Sequence, residues 1–594
     1  MNDSEFEESA KVPASHRRHG QDSKSSTDSN QSTSEQGPTQ PQIISSNEAS
    51  VIAGETLEQV GSSPPLRTSE SNTGKHAFLV GSGILLSRII GLVRQRVFAH
   101  YFGLSDAADA FNAAFRIPNL LQNVFGEGAL SASFIPVYAK LLTHHDEEEA
   151  SRVAVSILSI LALATSVIVL IGVLTTPLLI DLVAPGFTGE KRELTIRLVR
   201  IFFPGAGLLV LSAWCLGVLN SHRRFFLSYT APVIWNVTII AALLGFGGRV
   251  DQFRLAEIVA WGSVVGSALQ FAVQVPTVLK LLGRLKLALD PYSAEVRQVL
   301  RNFFPVFFSR GVIQISAFVD AWLASWLGTG AVGALSYTQS IYTLPVSLFG
   351  MSVSAAELPT MSSATGTSEE VAENLRTRLN QGIRRIAFLV VPSAMAFFAL
   401  GDVIAAVLYQ TGQFTSQDSR YIWGILAGSG VGLLAATVGR LYSSTYYALR
   451  DTRTPLLFAI VHVALAAALG YITSIHLPPL LNLESKWGAV GLTASASFAA
   501  WIELLLLRRG LYRRIGATGL PMKISLKLWT AAAISAGIAW GGRFALGPIH
   551  PIPMAIVVLG TYGVVYFGVT TLLAIQESRM VTSRILGILG LNRG

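Results

Sequence analysis

Residues 153–183 read VAVSILSILALATSVIVLIGVLTTPLLIDLV, and no charge interrupts them until Asp181. About 20 apolar residues in a helix cross the hydrocarbon core of a bilayer, so this stretch is long enough to span it. Working outward with a window of that size finds fourteen candidate spans. They lie near 77–101, 106–140, 153–183, 194–219, 229–247, 255–280, 299–327, 331–361, 383–409, 420–447, 455–475, 487–507, 526–546 and 552–575. The 594 residues are 51% hydrophobic and only 14% charged, where a soluble protein carries about a quarter charged residues. Mean hydropathy is +0.49. The expected fold class is an all-α polytopic membrane protein, and an ordinary soluble enzyme is excluded. The run Gly428-Ser429-Gly430-Val431-Gly432 follows no strand, so it reads as small residues at a helix contact and not as a nucleotide loop. With no zinc, hydrolase or phosphate-loop motif, no enzymatic activity is predicted.

Residues 1–75 are rich in Ser, Thr, Gln, Glu and Pro and read as a disordered cytoplasmic tail, not as a signal peptide. The tail holds 11 acidic and 6 basic residues, which leaves 25 acidic and 39 basic residues to the body. Basic loops explain that excess without nucleic acid. Arg223 and Arg224, then Lys280, Arg284 and Lys286, then Arg376, Arg378, Arg384 and Arg385, then Arg450 and Arg453, then Arg508, Arg509, Arg513 and Arg514 all fall on one side of an alternating path. Roughly 24 basic residues lie on that side and about 7 on the other. Both termini are expected in the cytoplasm. A lone cysteine, Cys215, permits neither an internal disulfide nor a cysteine metal site.

An internal repeat organises the body. Pro118, Phe125-Gly126 and Pro136 recur as Pro345, Phe349-Gly350 and Pro359, and the first pair is 227 residues apart. The basic turn starting at Leu219 recurs from Leu449, an offset of 230. This predicts two six-helix lobes, residues 76–285 and 286–515, with two extra helices and a short cytoplasmic C-terminus in 516–594. Two related halves suit a transporter that rocks between two faces. Several spans carry charge: Arg88, Arg94 and Arg96, then Asp109, Arg116 and Glu127, then Arg310 and Asp320. Such helices must line something wet.

The stretch Ser87-Arg88-Ile89-Ile90-Gly91-Leu92-Val93-Arg94 is followed by Ala108-Asp109-Ala110-Phe111, Phe115-Arg116-Ile117-Pro118-Asn119-Leu120-Leu121 and Phe125-Gly126-Glu127-Gly128-Ala129-Leu130-Ser131. Together they resemble the N-terminal signature of the MviN/MurJ lipid II flippases, within the multidrug, oligosaccharidyl-lipid and polysaccharide exporter group. Ala184-Pro185-Gly186-Phe187 and Tyr409-Gln410-Thr411-Gly412-Gln413-Phe414-Thr415 extend the resemblance, which covers about residues 77 to 575. It implies fourteen helices, two lobes in a V around a central cationic cavity, and a groove for a polyprenyl tail by the last two helices. It also implies alternating access in the bacterial cytoplasmic (inner) membrane. The cargo would be lipid II, the undecaprenyl-diphosphate-linked peptidoglycan precursor, moved to the periplasmic leaflet for cell-wall synthesis. Partners would be that lipid, membrane lipids and cell-wall synthesis proteins, with no cofactor beyond coupling to sodium or the membrane potential.

Carried over residue by residue, the resemblance assigns substrate binding to Arg94 and Arg88 on the first span and to Asp109 and Glu127 on the second, where Arg116 joins them. The chain departs from the family at Gln122 and Ser340, where arginines are usual. Arg310 on the seventh span is expected to compensate. Asp320 matches a position associated with sodium, and Asp451 is a weaker candidate for the same ion. His462 reads as a packing histidine before a proton relay. Two other functions fit the same departures: export of another lipid-linked glycan or a small cation, and a degenerate flippase serving as a cell-wall regulatory scaffold.

Overall fold

The computed structural model describes residues 70–283, 290, 293–363, 366–547 and 549–578. The side chains of 70–85, Glu127, 308–313, 315–316 and Leu546 fall outside that description, as does the tail to residue 69. Fourteen principal helices follow in order. They are α1 Glu70–Phe102, α2 Asp106–Phe125, α3 Glu147–Leu174, α4 Gly189–Ser221, α5 Phe225–Phe246, α6 Gln252–Leu282 and α7 Ala294–Ser325. Then come α8 Ala331–Pro345, α9 Ser368–Tyr409, α10 Ser416–Ala448, α11 Arg453–Tyr471, α12 Gly488–Ile515, α13 Met522–Leu546 and α14 Pro551–Leu572. No strand occurs among the described residues. Among the described residues, ten helical segments are long and apolar enough to cross a membrane. The other four are α1, α2, α7 and α13, and the first three carry the intramembrane charges noted above.

The helices depart from the expected spans where the sequence carries a local breaker. The first starts at Glu70, inside the segment read as disordered, because extending a helix adds hydrogen bonds without a second nucleation. The stretch 106–140 is not one helix: α2 ends at Phe125, and Glu127–Ser133 and Ile135–Thr143 follow as short pieces. Gly126 sits at the first break, where a Cβ would meet the Gln122 carbonyl oxygen at 2.1 Å, and Pro136 opens the last piece. The opening stretch likewise breaks at Thr175, before Pro177, into α3 and Thr176–Val183. Pro118 bends nothing out of α2, whereas its repeat partner Pro345 ends α8 and leads into a π-helical turn, Val346–Met351. Ser352–Ser362 completes that span.

In the first half α4 packs on α2, α3 and α6, and α5 packs on α1 and α6. In the second half α10 is the hub, packed on α8, α9 and α12, with α11 against α12. Small residues allow the α10–α12 approach: a Cβ on Gly432 would meet Ser497 Cα at 2.5 Å, and Ser497 Oγ donates to the Gly428 carbonyl at 2.7 Å. The helices α13 and α14 pack on each other and on α9, where Tyr562 and Tyr566 donate to the carbonyls of Pro392 and Phe388, each at 2.7 Å.

The two halves meet at the end where α1, α7 and α9 finish. There His100 O accepts from Gln413 N at 2.8 Å, and His100 Nδ1 lies 2.8 Å from Thr411 Oγ1. Arg96 donates to the carbonyls of Val407 and Leu408. Gly103 and Gly412 both take φ +55°, and a Cβ on either would collide with the opposite strand of chain, at Gln413 O and His100 O. The anchor is Asp109. Its wholly buried carboxylate accepts the Gly330 and Gly333 amides of α8, each at 2.7 Å, and pairs with Lys191 Nζ at 2.6 Å. Lys191 also reaches Asp106 at 2.9 Å, and Thr329 donates to Asp106 at 2.8 Å. Removing one partner of a buried ion pair costs about 3–5 kcal/mol. Asp109→Ala is therefore expected to lower the thermal unfolding midpoint of detergent-purified protein well beyond Asp181→Ala, which breaks only an exposed pair with Arg192. Equal melting of the two variants would refute the anchoring role.

Candidate functional site: the cavity beside the first helix

A cavity of about 400 Å³ opens between α1, α2, α4, α5 and α6, with Gln314 of α7 on its remaining side. Its shape follows from the pairing of α1 with α5, which brings Arg94 over the indole of Trp235, guanidinium carbon to ring centroid 4.8 Å. The indole is fixed from behind, because its N–H donates to Ser263 Oγ at 3.0 Å, and Phe115 stacks against it at 5.9 Å. Arg88 lies six residues earlier on α1, about 9 Å along the axis. It lines the same cavity and donates to Ser347 Oγ on the opposite half at 3.1 Å. Towards that end Phe125 rests on Phe303 and Phe307 of α7, ring centroids 5.7 and 5.0 Å away.

The rest of the polar lining is uncharged: Asn119, Gln122 and Asn123 on α2, Asn236 on α5, Gln270 on α6 and Gln314 on α7. Gln122, where the resemblance leads one to expect arginine, thus lies in the cavity wall. Ser340 does not line the cavity. It accepts from Gln95 Nε2 at 2.7 Å, and Gln95 Oε1 accepts from Tyr409 at 3.0 Å, within the contact between the halves.

Of the residues singled out from the sequence, Arg94 and Arg88 come together in this cavity. Asp109 does not line it; its carboxylate is spent on Lys191 and the start of α8, as described. Arg116 also turns away, donating to the Ala317 carbonyl of α7 at 2.8 Å, one turn from Asp320. The side chains of Glu127 and Arg310 lie outside the described residues, on the short helix after α2 and on α7.

Asp320 faces Arg116 and His462, which are cations or potential cations and not ligands for a hard ion. His462 Nδ1 lies 2.8 Å from Glu503 Oε2 without hydrogen-bond alignment. Asp451 is already saturated: it accepts from the Arg453 and Thr454 amides and the Thr454 hydroxyl, and it pairs with Arg514 at 2.6 Å. It caps α11 at a turn, so the sodium reading does not fit Asp451. No cluster of three His, Cys, Asp or Glu side chains among the described residues could hold a metal ion.

Sequence reasoning missed Trp235, which closes over Arg94, and Gln270, which lies in the wall. For the amides a signal was present. Gln270 and Gln274 are four residues apart in an apolar span, and Asn119, Gln122 and Asn123 share the three-and-four spacing of one helix face.

The family model described as "Lipid II flippase MurJ" matches residues 98–550. The chain belongs to that family. It is 30% identical over 511 residues to the lipid II flippase MurJ of Burkholderia cenocepacia, spanning 83% of this chain and 96% of that one. It is 33% identical over 448 residues to a probable lipid II flippase MurJ of Rhizobium tropici, 74% of this chain and 81% of the relative. Among solved structures, a lipid II flippase MurJ in an inward closed conformation superposes with TM-score 0.69 at 26% identity, over 84% of this chain and 98% of that one. An inward-facing transporter of the multidrug-resistance MATE family superposes at 0.59 and 18% identity, which is a likeness of fold alone.

The cap at Asp451 carries a pH signature. Burial raises its pKa, but the hydrogen bonds from Thr454 and the Arg514 guanidinium outweigh this and hold the carboxylate below its usual 3.8. A depressed carboxylate stabilises the fold above its unfolded pKa and loses that contribution as pH falls through the folded value. Wild type is expected to melt above Asp451→Asn at neutral pH, with the gap closing as pH drops below 3.8. A gap independent of pH would contradict the assignment.

Proposed function

We propose that this protein flips lipid II across the bacterial cytoplasmic membrane for cell-wall synthesis. The observation that carries this reading is the placement of Arg88 and Arg94 in one polar cavity inside a many-helix membrane protein of this family. A sugar-peptide head on a diphosphate cannot cross ~30 Å of hydrocarbon unaided, since each unpaired charge there is prohibitively costly. Guanidinium groups replace the water around a diphosphate with bidentate, charge-assisted hydrogen bonds. No bond in the lipid needs to break, so the work is binding and movement.

In this reading the basic ends of the helices, around Arg224, Arg378 and Arg509, face the cytoplasm, and the Asp109 anchor lies on the periplasmic side. The head enters when Phe125 parts from Phe303 and Phe307 and Arg88 releases Ser347. It leaves when the α8 amides release Asp109. The loss of the family's arginine at Gln122 leaves Arg94 and Arg88 as the described cationic ligands in the cavity.

Two measurements test this. Arg94→Ala is expected to abolish complementation in cells depleted of their own flippase while the protein is still made and inserted. Arg94→Lys is expected to keep partial activity, because it retains the charge and loses the two-pronged contact. Full complementation by Arg94→Ala would remove the arginine from the substrate site. For orientation, Arg224→Cys, Arg378→Cys and Arg509→Cys, each with Cys215→Ser, should resist an impermeant thiol reagent on intact spheroplasts. Thr188→Cys, Thr415→Cys and Ser485→Cys should react, and the reverse pattern would invert the topology.

A further inference from the structure

Beside the two arginines the cavity presents a wall of neutral amides. Asn119, Gln122, Asn123 and Gln314 line it, and none of their side chains bonds another group among the described residues. An amide left unpaired in a membrane interior is costly unless water or a ligand satisfies it. Gln270 is built differently, since it is held from behind. Its Nε2 donates to Ser212 Oγ at 3.0 Å, and the Ser212 hydroxyl donates to Gln274 Oε1 at 3.2 Å. Ser212 is 2% and Gln274 0% exposed, and Gln274 Nε2 finds no acceptor. A relay of three buried polar side chains, one of them with an orphaned donor, is too costly to serve as packing alone. It fixes one end of the Gln270 amide in the wall, and no described side chain donates to the other end, Oε1.

Amides offer a donor pair and an acceptor on one rigid plane. Their natural complement is another amide, with its own N–H and C=O. A site built this way rejects an analogue lacking those groups, because its own buried polar atoms are then stranded. We propose that this wall is the specificity-determining part of the cavity. Gln122 and the relay-oriented Gln270 read the acetamido and peptide amides of the translocated head, while Arg88 and Arg94 hold the diphosphate. The inference rests on the function proposed above and adds a division of labour within its site.

The test is binding of two lipids to the full-length protein in nanodiscs: lipid II, and undecaprenyl diphosphate, which lacks the head. Gln122→Leu and Gln270→Leu are expected to weaken lipid II binding about tenfold each, the worth of one or two neutral hydrogen bonds, and to leave undecaprenyl diphosphate binding unchanged. Arg94→Ala should weaken both. Equal losses for the two lipids, or no loss for either variant, would overturn the proposal. Because the Gln122 side chain has no hydrogen-bond partner among the described residues, Gln122→Leu alone decides the matter if Gln270→Leu does not fold. Wild-type protein that binds neither lipid would instead bring down the flippase reading itself, and this inference with it.

Discussion

The Asp109 carboxylate is the contact on which the two halves depend. It lies in the first turn of α2, yet it serves the first turn of α8 by accepting the Gly330 and Gly333 amides across the interface. A helix start leaves amides without intrahelical partners, and here a residue from the other half supplies one. Charge makes the contact strong, because the N-terminus of a helix favours an anion. Lys191 makes it affordable, since a buried carboxylate without a countercharge would protonate or pull the structure apart. Around it, His100 with Gln413 and Gln95 with Ser340 join neutral groups, and Arg96 adds charge-assisted bonds to the Val407 and Leu408 carbonyls. Asp109 is the buried ion pair of this seam, and a change of position between the halves at this end has to break it.

The same economy explains the charges that sequence reasoning had assigned to the cavity. In hydrocarbon every ionisable group needs either a partner or water. Asp109 and Arg116 found partners, in Lys191 and in the Ala317 carbonyl, and so were spent on joining helices. Among the described residues Arg94 meets an aromatic face and no carboxylate, and Arg88 meets a serine hydroxyl. A guanidinium paired only with such weak partners keeps most of its donors for an anionic ligand. What distinguishes the two cavity arginines from the structural charges is thus the quality of their described protein partners, which spacing along one chain does not encode.

The sequence made the helical architecture legible because hydropathy and loop charge act over tens of residues, and helices near all fourteen expected positions are present. The breaks at Gly126 and Thr175 were harder to read, since both flanks stay apolar and only a local glycine or proline signals the change. Within the site, Arg94 and Arg88 were legible from the family motif. Trp235 was not: its role depends on α5 packing against α1, a contact between positions about 140 residues apart. Asp451 was expected as a weaker sodium candidate because its partners, two backbone amides, the Thr454 hydroxyl and Arg514 of α12, are brought to it by a turn and a packing contact that spacing does not reveal.

The two departures from the family's arginines have different physical meanings. Ser340 lies in the interface, hydrogen-bonded to Gln95, which is in turn bonded to Tyr409. A guanidinium there would have to displace that chain, so the small hydroxyl belongs with how the halves close. Gln122 lies in the cavity and its side chain bonds no other group among the described residues, so its identity matters to whatever fills that space. Both described cavity cations then ride on one helix. Six residues apart, Arg88 and Arg94 are about 120° apart around α1, which is why one meets Trp235 in its own half and the other reaches Ser347 in the opposite half. A small rotation of α1 would swing both guanidinium groups at once, exchanging one set of weak partners for another. A phosphate held between them would move with the helix and not from helix to helix.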